Sequence, residues 1–444
     1  MRLTRTCLAS LFAFAALAAC SNETIVVKAA PAGPDDVDPG AGADGGDGSE
    51  PCAPVAAAPV LDATIFGRGA LDYAGDTLGF AYVDAQGTPT IQILARDAAA
   101  PAKVTWPDSV RVSHYGSSYV TTSLAHNGER FGFGWYTERP FASTDGVWST
   151  MFATATTAGA KTLATPGNDD TGRSGSDDMV QASGPRAMPS GDGFMLAWQD
   201  TRTKEPRVTG VNLALWGGIY ARAYDAQGRG APRDVQIAQP TRPSGLVGVT
   251  DGVTSMPIWT VDDGKFKTTL HARAETTFTP AAAPPALATF ESYSASGLAA
   301  ARGADGTVLA VVTRKDKGDV AHVGSVTLGM SASAKSAYAD WSEVGLTDVA
   351  VSPTATGFVV AALETTGAEP DAKRALRFFW LDASGARIAD AKSDLALGAD
   401  VRVTSLAVHA SGSRVEAAVL VAPANATNDG RAVRVQRAVV CAPR

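Results

Sequence analysis

The sequence predicts an all-β protein built from repeated four-stranded sheets, and three features of the chain lead to that prediction. After Ala53 no stretch keeps a helical apolar period, and short runs rich in Val, Thr, Phe, Tyr and Trp alternate with Gly, Asp, Asn and Pro. One strand pattern recurs at intervals of 50 to 63 residues. Glycine is abundant, at 45 of 444 residues, as many tight turns require.

The recurring pattern is a turn of Gly, Asp or Asn followed by an apolar strand with a large residue near its end. The clearest copy is Gly191–Trp198, and earlier copies end at Tyr82 and Trp135. Looser copies end at Trp259, Val312, Ala362 and Leu420. Such regular self-similarity is the mark of a repeat architecture.

A second element follows each copy and consists of a strand, an Asp-x-x-Gly-like turn and another strand. The best example runs from Gly218 to Gly228 and leads into a strand at 234–238, and a sister copy spans 376–385. Each unit therefore holds about four short strands, and four to eight such units describe a β-propeller. We predict a seven-bladed β-propeller over residues 54–444. The Phe-h-h-x-Trp and Ile-Tyr-Ala-Arg-x-x-Asp-x-x-Gly strands resemble propeller repeats of large exported bacterial proteins and lipoproteins, which implies a fold rather than an activity.

Residues 1–19 have a basic start and a short apolar run, as secretory signal peptides do. Leu17-Ala18-Ala19-Cys20 resembles the lipobox of bacterial lipoproteins, which implies cleavage before Cys20 and lipidation of its thiol. Two or three acyl chains give stable membrane anchoring. Ser21, in place of aspartate, favours the outer membrane, on its periplasmic face or at the cell surface. The alternative is a plain signal peptide cut near Ala19.

Residues 20–53 are predicted to form a disordered acidic tether, because Ala, Pro, Gly and Asp cannot bury enough apolar surface to offset ordering entropy. This segment carries a net charge of −6, the first 19 residues carry +2, and the whole chain carries −7. The remaining body is therefore nearly neutral. It lacks the basic surface that nucleic acid requires, so no nucleic-acid partner is expected.

The cysteines predict how the ring of sheets closes. Cys7 leaves with the signal and Cys20 is taken by lipid, so Cys52 and Cys441 remain to pair in an oxidising compartment. The last unit lacks a fourth strand, whereas a spare strand lies at 55–65, before the first unit. If that spare strand pairs antiparallel with the strand at 432–440, Cys52 comes beside Cys441 within bonding reach.

The predicted binding face lies on the long connections between the second and third strands of two neighbouring units. One connection, at 199–217, contains Asp200, Arg202 and Trp216, and the other, at 136–146, contains Glu138 and Arg139, with Trp148 just beyond it. Aromatic and charged groups on loops suit sugar or protein recognition. The alternative is a structural ion pair between Asp200 and Arg202.

The sequence offers no complete set of catalytic residues, and we expect neither a metal site nor a cofactor. There is no Gly-x-Ser-x-Gly, P-loop or His-Glu-x-x-His motif, and the five histidines are dispersed. The segment Ser143–Trp148 is similar to the Asp-box of sialidases but lacks two spacer residues and occurs once. An acidic loop at 167–178 could bind calcium, although a solvated loop is the simpler interpretation.

Two classes of function follow from these observations. The favoured hypothesis is a lipid-anchored, non-catalytic binding or scaffold propeller that recognises an unidentified protein or glycan. The alternative is a divergent glycosidase or lyase on the same scaffold, which would need paired carboxylates in a deep central pocket.

Replacing Cys20 by serine removes the thiol that would carry the lipid. We expect Cys20→Ser to shift the protein from the membrane fraction to the soluble fraction, which cell fractionation and immunoblotting would measure. Cys7→Ser is the matched control, because that cysteine lies within the signal peptide. Retention of Cys20→Ser in membranes would exclude the lipid anchor.

Overall fold

The computed structural model describes residues 52–107, 121–139, 147–167, 182–200, 218–238, 243–262, 267–275, 284–292, 294–318, 320–367, 373–395, 401–423 and 430–443. These ranges contain 28 β-strands, and residues 51–444 form one compact unit. Within the described ranges no helix has the length and apolar character needed to cross a membrane. The all-β prediction is confirmed.

One sheet holds seven strands in the order β26-β27-β28-β1-β2-β3-β4. Its strands are β1 (Val55–Ala74), β2 (Thr77–Asp84), β3 (Pro89–Ala95), β4 (Ala102–Thr105), β26 (Val401–Ser411), β27 (Arg414–Pro423) and β28 (Arg431–Cys441). The long strand β1 serves both halves of this sheet. Its first part pairs antiparallel with β28 from Val55 to Ile65, and its second part pairs with β2 from Ile65 to Ala74.

The other sheets are antiparallel and mostly four-stranded, each made from consecutive segments of the chain. The first two contain β5 (Thr122–His126), β6 (Arg130–Arg139), β7 (Val147–Thr156) and β8 (Thr165–Pro166), then β9 (Ala182–Ser190), β10 (Gly193–Asp200), β11 (Gly218–Tyr224) and β12 (Val235–Ala238). The next contains β13 (Pro243–Thr250), β14 (Ser255–Asp262), β15 (Lys267–Ala272) and β16 (Ala288–Glu291). The last two contain β17 (Ser294–Arg302), β18 (Val308–Lys315), β19 (Ala321–Gly329), β20 (Ser333–Ala334) and β21 (Ala339–Val344), then β22 (Leu346–Pro353), β23 (Gly357–Thr366), β24 (Lys373–Asp382) and β25 (Arg387–Leu395).

The recurring apolar pattern of the sequence is the second strand of each repeat unit along the chain. The strands concerned are β2, β6, β10, β14, β18, β23 and β27, and the large residues that define the pattern, such as Trp135, Trp198 and Trp259, are fully buried. These strands are apolar in continuous runs because other sheets cover both of their faces. The outer strand β25, in contrast, alternates between exposed and half-buried residues, as a strand with one solvated face does.

The hydrophobic core lies between consecutive sheets. One cluster, for example, joins side chains of the β22–β25 sheet to those of β26, β27 and β28. Glycines on one sheet leave room for aromatic rings of the next. A Cβ atom at Gly79 would come within 2.7 Å of the Phe131 ring, and one at Gly132 within 2.5 Å of the Phe194 ring. Substituting either glycine would therefore force two sheets apart.

Seven first strands surround one cavity, and we call them the lining strands. They are β1, β5, β9, β13, β17, β22 and β26. Each contacts the next in chain order, and β26 contacts β1. This arrangement of antiparallel sheets around a cavity fits a β-propeller.

The predicted pairing of the two ends of the body is present. Cys52 and Cys441 are joined by a disulfide with a Cα–Cα distance of 5.8 Å and a sequence separation of 389 residues. Both cysteines lie on the side of the molecule where β26 turns into β27, because Cys441 pairs with Arg414 at the start of β27.

The sequence predicts long connections between the second and third strands of the units. In the structure these connections are not uniformly long. Only residues 85–88 join β2 to β3, and residues 316–320 join β18 to β19. In the first of these turns, the Asp84 carboxylate accepts hydrogen bonds from the backbone N–H groups of Gln86 and Thr88. Such turns are compact because the side chain replaces water at the backbone. Elaboration of this face is therefore confined to particular sheets.

Removing the disulfide should destabilise the body, because the bond restricts the unfolded chain over a very long loop. Loop-entropy models give upward of about 4 kcal/mol of unfolding free energy for such a loop. We expect a variant carrying both Cys52→Ser and Cys441→Ser to unfold at a lower guanidinium concentration than the oxidised protein. Reductant should shift the midpoint of the wild type and leave that of the variant unchanged. Equal midpoints for oxidised protein and variant would contradict a stabilising role.

Candidate functional site

The cavity inside the lining strands has a volume of about 720 Å³ and is the candidate functional site. Its middle is lined mostly by small or aliphatic residues, among them Ala70, Ala125, Gly248, Ala300, Ala350 and Ala407. Charged residues gather toward its two ends. Arg68 and Asp348 lie within register shifts and Arg186 directly follows one, at what we call the bulge end. Near the hairpin turns, at what we call the turn end, lie Asp72, His126, Arg302 and His409.

The bulge end takes its name from a register shift that recurs near the start of the lining strands. Six of the seven, in the part of the chain that the structure describes, slip against the second strand there. The shift falls at Ser244 in β13, at Asp348 in β22 and at Thr404 in β26. A β-bulge leaves one residue outside the ladder and re-aims its side chain.

Asp348 is the acidic member of this ring. It lies between the pairs Thr347–Leu363 and Val349–Ala362, and its φ of 45° is in the left-handed region. Aspartate tolerates that region better than most residues, but the conformation still costs energy. Burial raises the pKa of the Asp348 carboxyl group, and the Thr347 hydrogen bond and the Arg68 charge offset only part of that rise.

Arg68 faces the same end of the cavity from β1. It is flanked by Gly67, with a φ of 75°, and by Gly69, where a Cβ atom would come within 2.9 Å of the Leu420 side chain. The Thr122 hydroxyl of the neighbouring strand β5 donates a hydrogen bond of 2.7 Å to the Arg68 carbonyl oxygen. The bulge, the glycines and this hydrogen bond together fix the backbone that presents the guanidinium group.

Arg186, on β9, adds a second guanidinium group at the bulge end. Its side chain is exposed to the water of the cavity, although the lining strands surround it and replace part of its hydration. This partial desolvation lowers the pKa of Arg186, and the positive charge of Arg68 lowers that pKa further. The two arginines are therefore close enough to repel each other, and a negatively charged group placed between them would relieve that repulsion.

Arg431 lies behind Arg68, where β28 meets β1. It is 4% exposed, and its Nη2 donates a hydrogen bond of 2.7 Å to the carbonyl oxygen of Gly67. Burial and the charges of Arg402 and Arg68 lower the pKa of Arg431 to about 10. The positive potential of the bulge end thus comes from several strands, and β1, β9, β26 and β28 each supply one arginine.

The turn end has a different character, because its charged groups pair with each other. The Nδ1 of His126 lies 2.9 Å from Oδ2 of Asp72, and the Nε2 of His409 lies 3.5 Å from Oδ1 of Asp76. Burial alone would lower the pKa of His126, but the charge and hydrogen bond of Asp72 together raise it. Burial lowers the pKa of His409, only partly offset by Asp76 and Glu416.

A buried ion network extends from the turn end into the junction of β27, β28 and the first sheet. Glu416 is 1% exposed and accepts hydrogen bonds from Nε of Arg96 at 3.0 Å and Nε of Arg414 at 2.7 Å. The Tyr73 ring stacks on the His409 ring with centroids 5.9 Å apart. These contacts join neighbouring strands, so the turn end is built chiefly for stability.

The predicted binding face is not part of the cavity as described. Arg202 and Trp216 lie outside the described residues. The backbone places Glu138 opposite Trp148, with Arg139 next along β6, at one end of the β6–β7 hairpin. Asp200 ends β10, and it pairs with Gly218. These four residues occupy strand ends on two neighbouring sheets, and none belongs to the cavity lining that the structure describes.

The histidines that the structure describes have polar partners of their own, whereas His114 and most of the acidic loop at 167–178 lie outside its ranges. His126 and His409 pair with carboxylates at the turn end, as above. His322 lies 3.0 Å from Asp316, and His271 contacts the Pro284 carbonyl oxygen. Across the described ranges, no three His, Cys, Asp or Glu residues are grouped so as to hold a metal ion.

Comparisons with known proteins find similar solved structures at low sequence identity. No protein-family model and no curated protein matches it. A solved protein of unknown function from Dyadobacter fermentans is similar at 10% identity and a TM-score of 0.47, over 87% of this chain and 100% of that one. A Hadza microbial sialidase is similar at 10% identity and a TM-score of 0.44, over 78% of this chain and 73% of that one. An α-L-arabinanase from Penicillium chrysogenum is similar at 10% identity and a TM-score of 0.45, over 75% of this chain and 96% of that one.

These comparisons correct the predicted function. The sequence favours a non-catalytic binding or scaffold module, and that prediction is wrong. The similar solved structures that carry a functional name include a sialidase, an arabinanase and a xylosidase, so they agree with the alternative, a glycosidase or lyase on the same scaffold. The substrates of those enzymes are not thereby assigned to this chain.

Sequence reasoning missed Asp348, Arg68 and Arg186, because it looked to long loops rather than to the lining strands. A signal was present for two of them. Arg68 sits between two glycines shortly after the predicted strand at 55–65, and Asp348 lies between Leu346 and Ala350 in a mostly apolar segment. A charged residue inside an otherwise apolar strand often marks a bulge or a site.

The pair of His126 and Asp72 predicts a specific pH dependence of stability. The folded-state pKa of His126 is raised. The pair therefore contributes fully to the unfolding free energy below the unfolded-state pKa of about 6.5, and this contribution is lost as the pH rises through the folded-state pKa. We expect Asp72→Asn to lower the unfolding free energy more at about pH 5.5 than at about pH 8.5. Denaturant titrations would measure this, with Asp62→Asn on the same strand as control. An equal loss at both pH values would show that the pair is not charge-coupled.

Proposed function

We propose that the chain is a glycan-cleaving enzyme that works at the bulge end of the cavity, with Asp348 as its proton donor. The observation that carries this proposal is the placement of Asp348, a carboxyl group at a bulge, in a left-handed backbone, facing a cavity and near guanidinium groups. This combination joins a perturbed acid to an enclosed space that a sugar chain could enter.

The protonation state of Asp348 suits a general acid. A carboxyl group whose pKa is raised by burial keeps its proton closer to neutral pH, and it can pass that proton to a departing oxygen atom. In glycoside cleavage the proton goes to the glycosidic oxygen as its bond to the sugar carbon breaks. The nearby arginine side chains would stabilise negative charge on the substrate during this step.

The backbone of Asp348 supports the same proposal. A non-glycine residue in the left-handed region costs on the order of 1–3 kcal/mol, and such residues cluster at active sites. The equivalent bulges in β13 and β26 carry Ser244 and Thr404, so a carboxyl group is not needed to form the bulge. The conformational energy spent at Asp348 therefore supports a functional role for its carboxyl group.

A second carboxylate distinguishes two ways of breaking the bond. Asp72 is the other carboxylate of the described lining, and it lies four residues beyond Arg68, roughly 13 Å along β1. Asp72 also pairs with His126. Two-carboxylate hydrolysis needs a second carboxylate roughly 5–10 Å from the first. Asp348 with two arginines also fits elimination from an acidic sugar, in which water takes the proton from the carbon beside the sugar carboxylate, a double bond forms, and Asp348 protonates the departing oxygen. The two routes differ in their products.

We also propose that the sheets form a seven-bladed ring closed by the amino-terminal strand. The pairing of β1 with both β28 and β2 supports this closure, as does the contact of each lining strand with the next. In this arrangement, residues 55–65 supply the outer strand of the last blade. Closure removes the open edge of that sheet, which would otherwise invite pairing with other chains.

We propose further that the mature protein begins at a lipidated Cys20 and is held at the outer membrane by the tether of residues 20–53. The lipobox at 17–20 supports this address, as does the pair of cysteines, which suits an oxidising compartment. The membrane would then be a partner of the chain through its lipid anchor. An envelope enzyme of this kind would meet glycans of the cell surface or of its surroundings.

Asp348→Asn tests the proposed chemistry, because asparagine also tolerates left-handed backbone but cannot donate an acidic proton. We expect loss of activity by about 10²–10⁴-fold on a panel of neutral and acidic polysaccharides, measured by new reducing ends and by the ultraviolet absorbance of unsaturated products. Wild-type activity should fall as the pH rises through the pKa of Asp348, because the active form is protonated.

The control for this variant is Asp72→Asn, which changes the other cavity carboxylate and should leave cleavage largely intact. Asp348→Asn should unfold at no lower denaturant concentration than the wild type, because burial penalises only the ionised carboxyl group. Unsaturated products would assign elimination, and saturated products would assign hydrolysis. Full activity in Asp348→Asn, or no cleavage of any member of the panel, would refute the proposal.

A further inference from the structure

The bulge end of the cavity carries positive charge that the described residues do not neutralise. The Arg68 side chain makes no hydrogen bond or ion pair with any residue in the described ranges, and Nη1 of Arg186 contacts only the Pro185 carbonyl oxygen, at 3.4 Å. Burial raises the pKa of Asp348, the one carboxyl group at this end in those ranges. Two guanidinium groups that line one cavity and form no ion pair leave positive charge that a bound anion would neutralise.

We propose that Arg68 and Arg186 bind an oxyanion group of the glycan, and that this site forms only when β1 has joined β28, so that anion binding and ring closure stabilise each other. The inference rests on the proposed function only in taking the anion to be part of a glycan. The oxyanion is a sugar carboxylate or a sulfate ester, because the guanidinium fork matches the oxygen pairs of both groups.

The link to closure follows from where Arg68 lies on β1. Ile65 is the residue at which β1 changes partners, since it pairs with both Arg431 of β28 and Asp84 of β2. The bulge that presents Arg68 follows directly after it. Arg431 then donates its hydrogen bond to the Gly67 carbonyl oxygen within that bulge. If β28 separates from β1, the bulge loses this support and Arg68 is no longer held toward the cavity.

Thermodynamic linkage makes the coupling reciprocal. An anion that binds only the closed ring stabilises closure by RT ln(1 + [L]/Kd), and any restraint that favours closure strengthens anion binding in turn. The disulfide between Cys52 and Cys441 is such a restraint, because it holds the start of β1 beside the end of β28. Its removal should therefore reveal the contribution of the anion.

Binding is best measured by calorimetry on full-length protein carrying Asp348→Asn, so that no cleavage occurs. The probes are a galacturonate oligomer, a carrageenan oligomer with sulfate but no carboxylate, and a neutral agarose oligomer. We expect one anionic probe to bind at least tenfold more tightly than the neutral probe and to weaken with added salt. Tighter binding of the galacturonate probe assigns a carboxylate, and tighter binding of the carrageenan probe assigns a sulfate.

Arg68→Gln should weaken binding of the preferred probe at least tenfold. Arg434→Gln is the matched control, because Arg434 is an exposed arginine on β28 that pairs with Asp62 at 3.4 Å and should leave binding unchanged. Equal binding of neutral and anionic probes, or unchanged binding in Arg68→Gln, would overturn the anion site. Anion binding without any cleavage by the wild type would instead overturn the proposed function alone.

Hydrogen exchange tests the link to closure. In a variant with Cys52→Ser and Cys441→Ser added, we expect the anionic probe to slow exchange of the amides of residues 55–65 at least threefold, and Arg68→Gln to abolish that effect. The neutral probe should leave exchange unchanged. If the anion binds but exchange across 55–65 stays the same, the anion site stands and its link to ring closure is refuted.

Discussion

The shared strand β1 is the constraint on which the rest of the structure depends. Its residues up to Ile65 complete the backbone hydrogen bonding of β28, and the residues from Ile65 onward begin the first sheet. A strand that changes partners midway must break its regular pleat, and the bulge at Gly67–Gly69 is where that break occurs. The first arginine of the cavity lies within this break, so the pairing of β1 with β28 and the shape of the cavity share one piece of backbone.

The two ends of the cavity show how the same scaffold serves stability and chemistry. At the turn end, carboxylates meet histidines and arginines, and Glu416 is buried among arginine partners. At the bulge end, two arginines line the same cavity, and burial raises the pKa of the one described carboxyl group. Charges that could stabilise the fold by pairing are kept apart there. That separation is the physical sign of a site that awaits a ligand.

Much of the fold was predictable because its signals are local. Second strands covered on both faces must be apolar along their whole length, and so the residues from Phe194 to Trp198 stand out in the sequence. The spare strand before the first unit and the two remaining cysteines predicted the pairing of β1 with β28. The site was not predictable in the same way. Arg68, Arg186 and Asp348 are separated from one another by 118 or more residues, and no shared sequence pattern connects them.

The predicted binding face stays a prediction, and it rests on a different kind of sequence feature from the cavity. Glu138, Arg139, Trp148 and Asp200 were chosen for their residue types and their place on long connections, whereas the cavity is built from short polar interruptions in apolar strands. By itself the sequence determined the strand content, the repeat and the disulfide, because periodicity and cysteine chemistry act over short distances or need no geometry. Only the tertiary structure decided which charges share a cavity, because register shifts in separate sheets aim side chains at a common point that no single segment encodes.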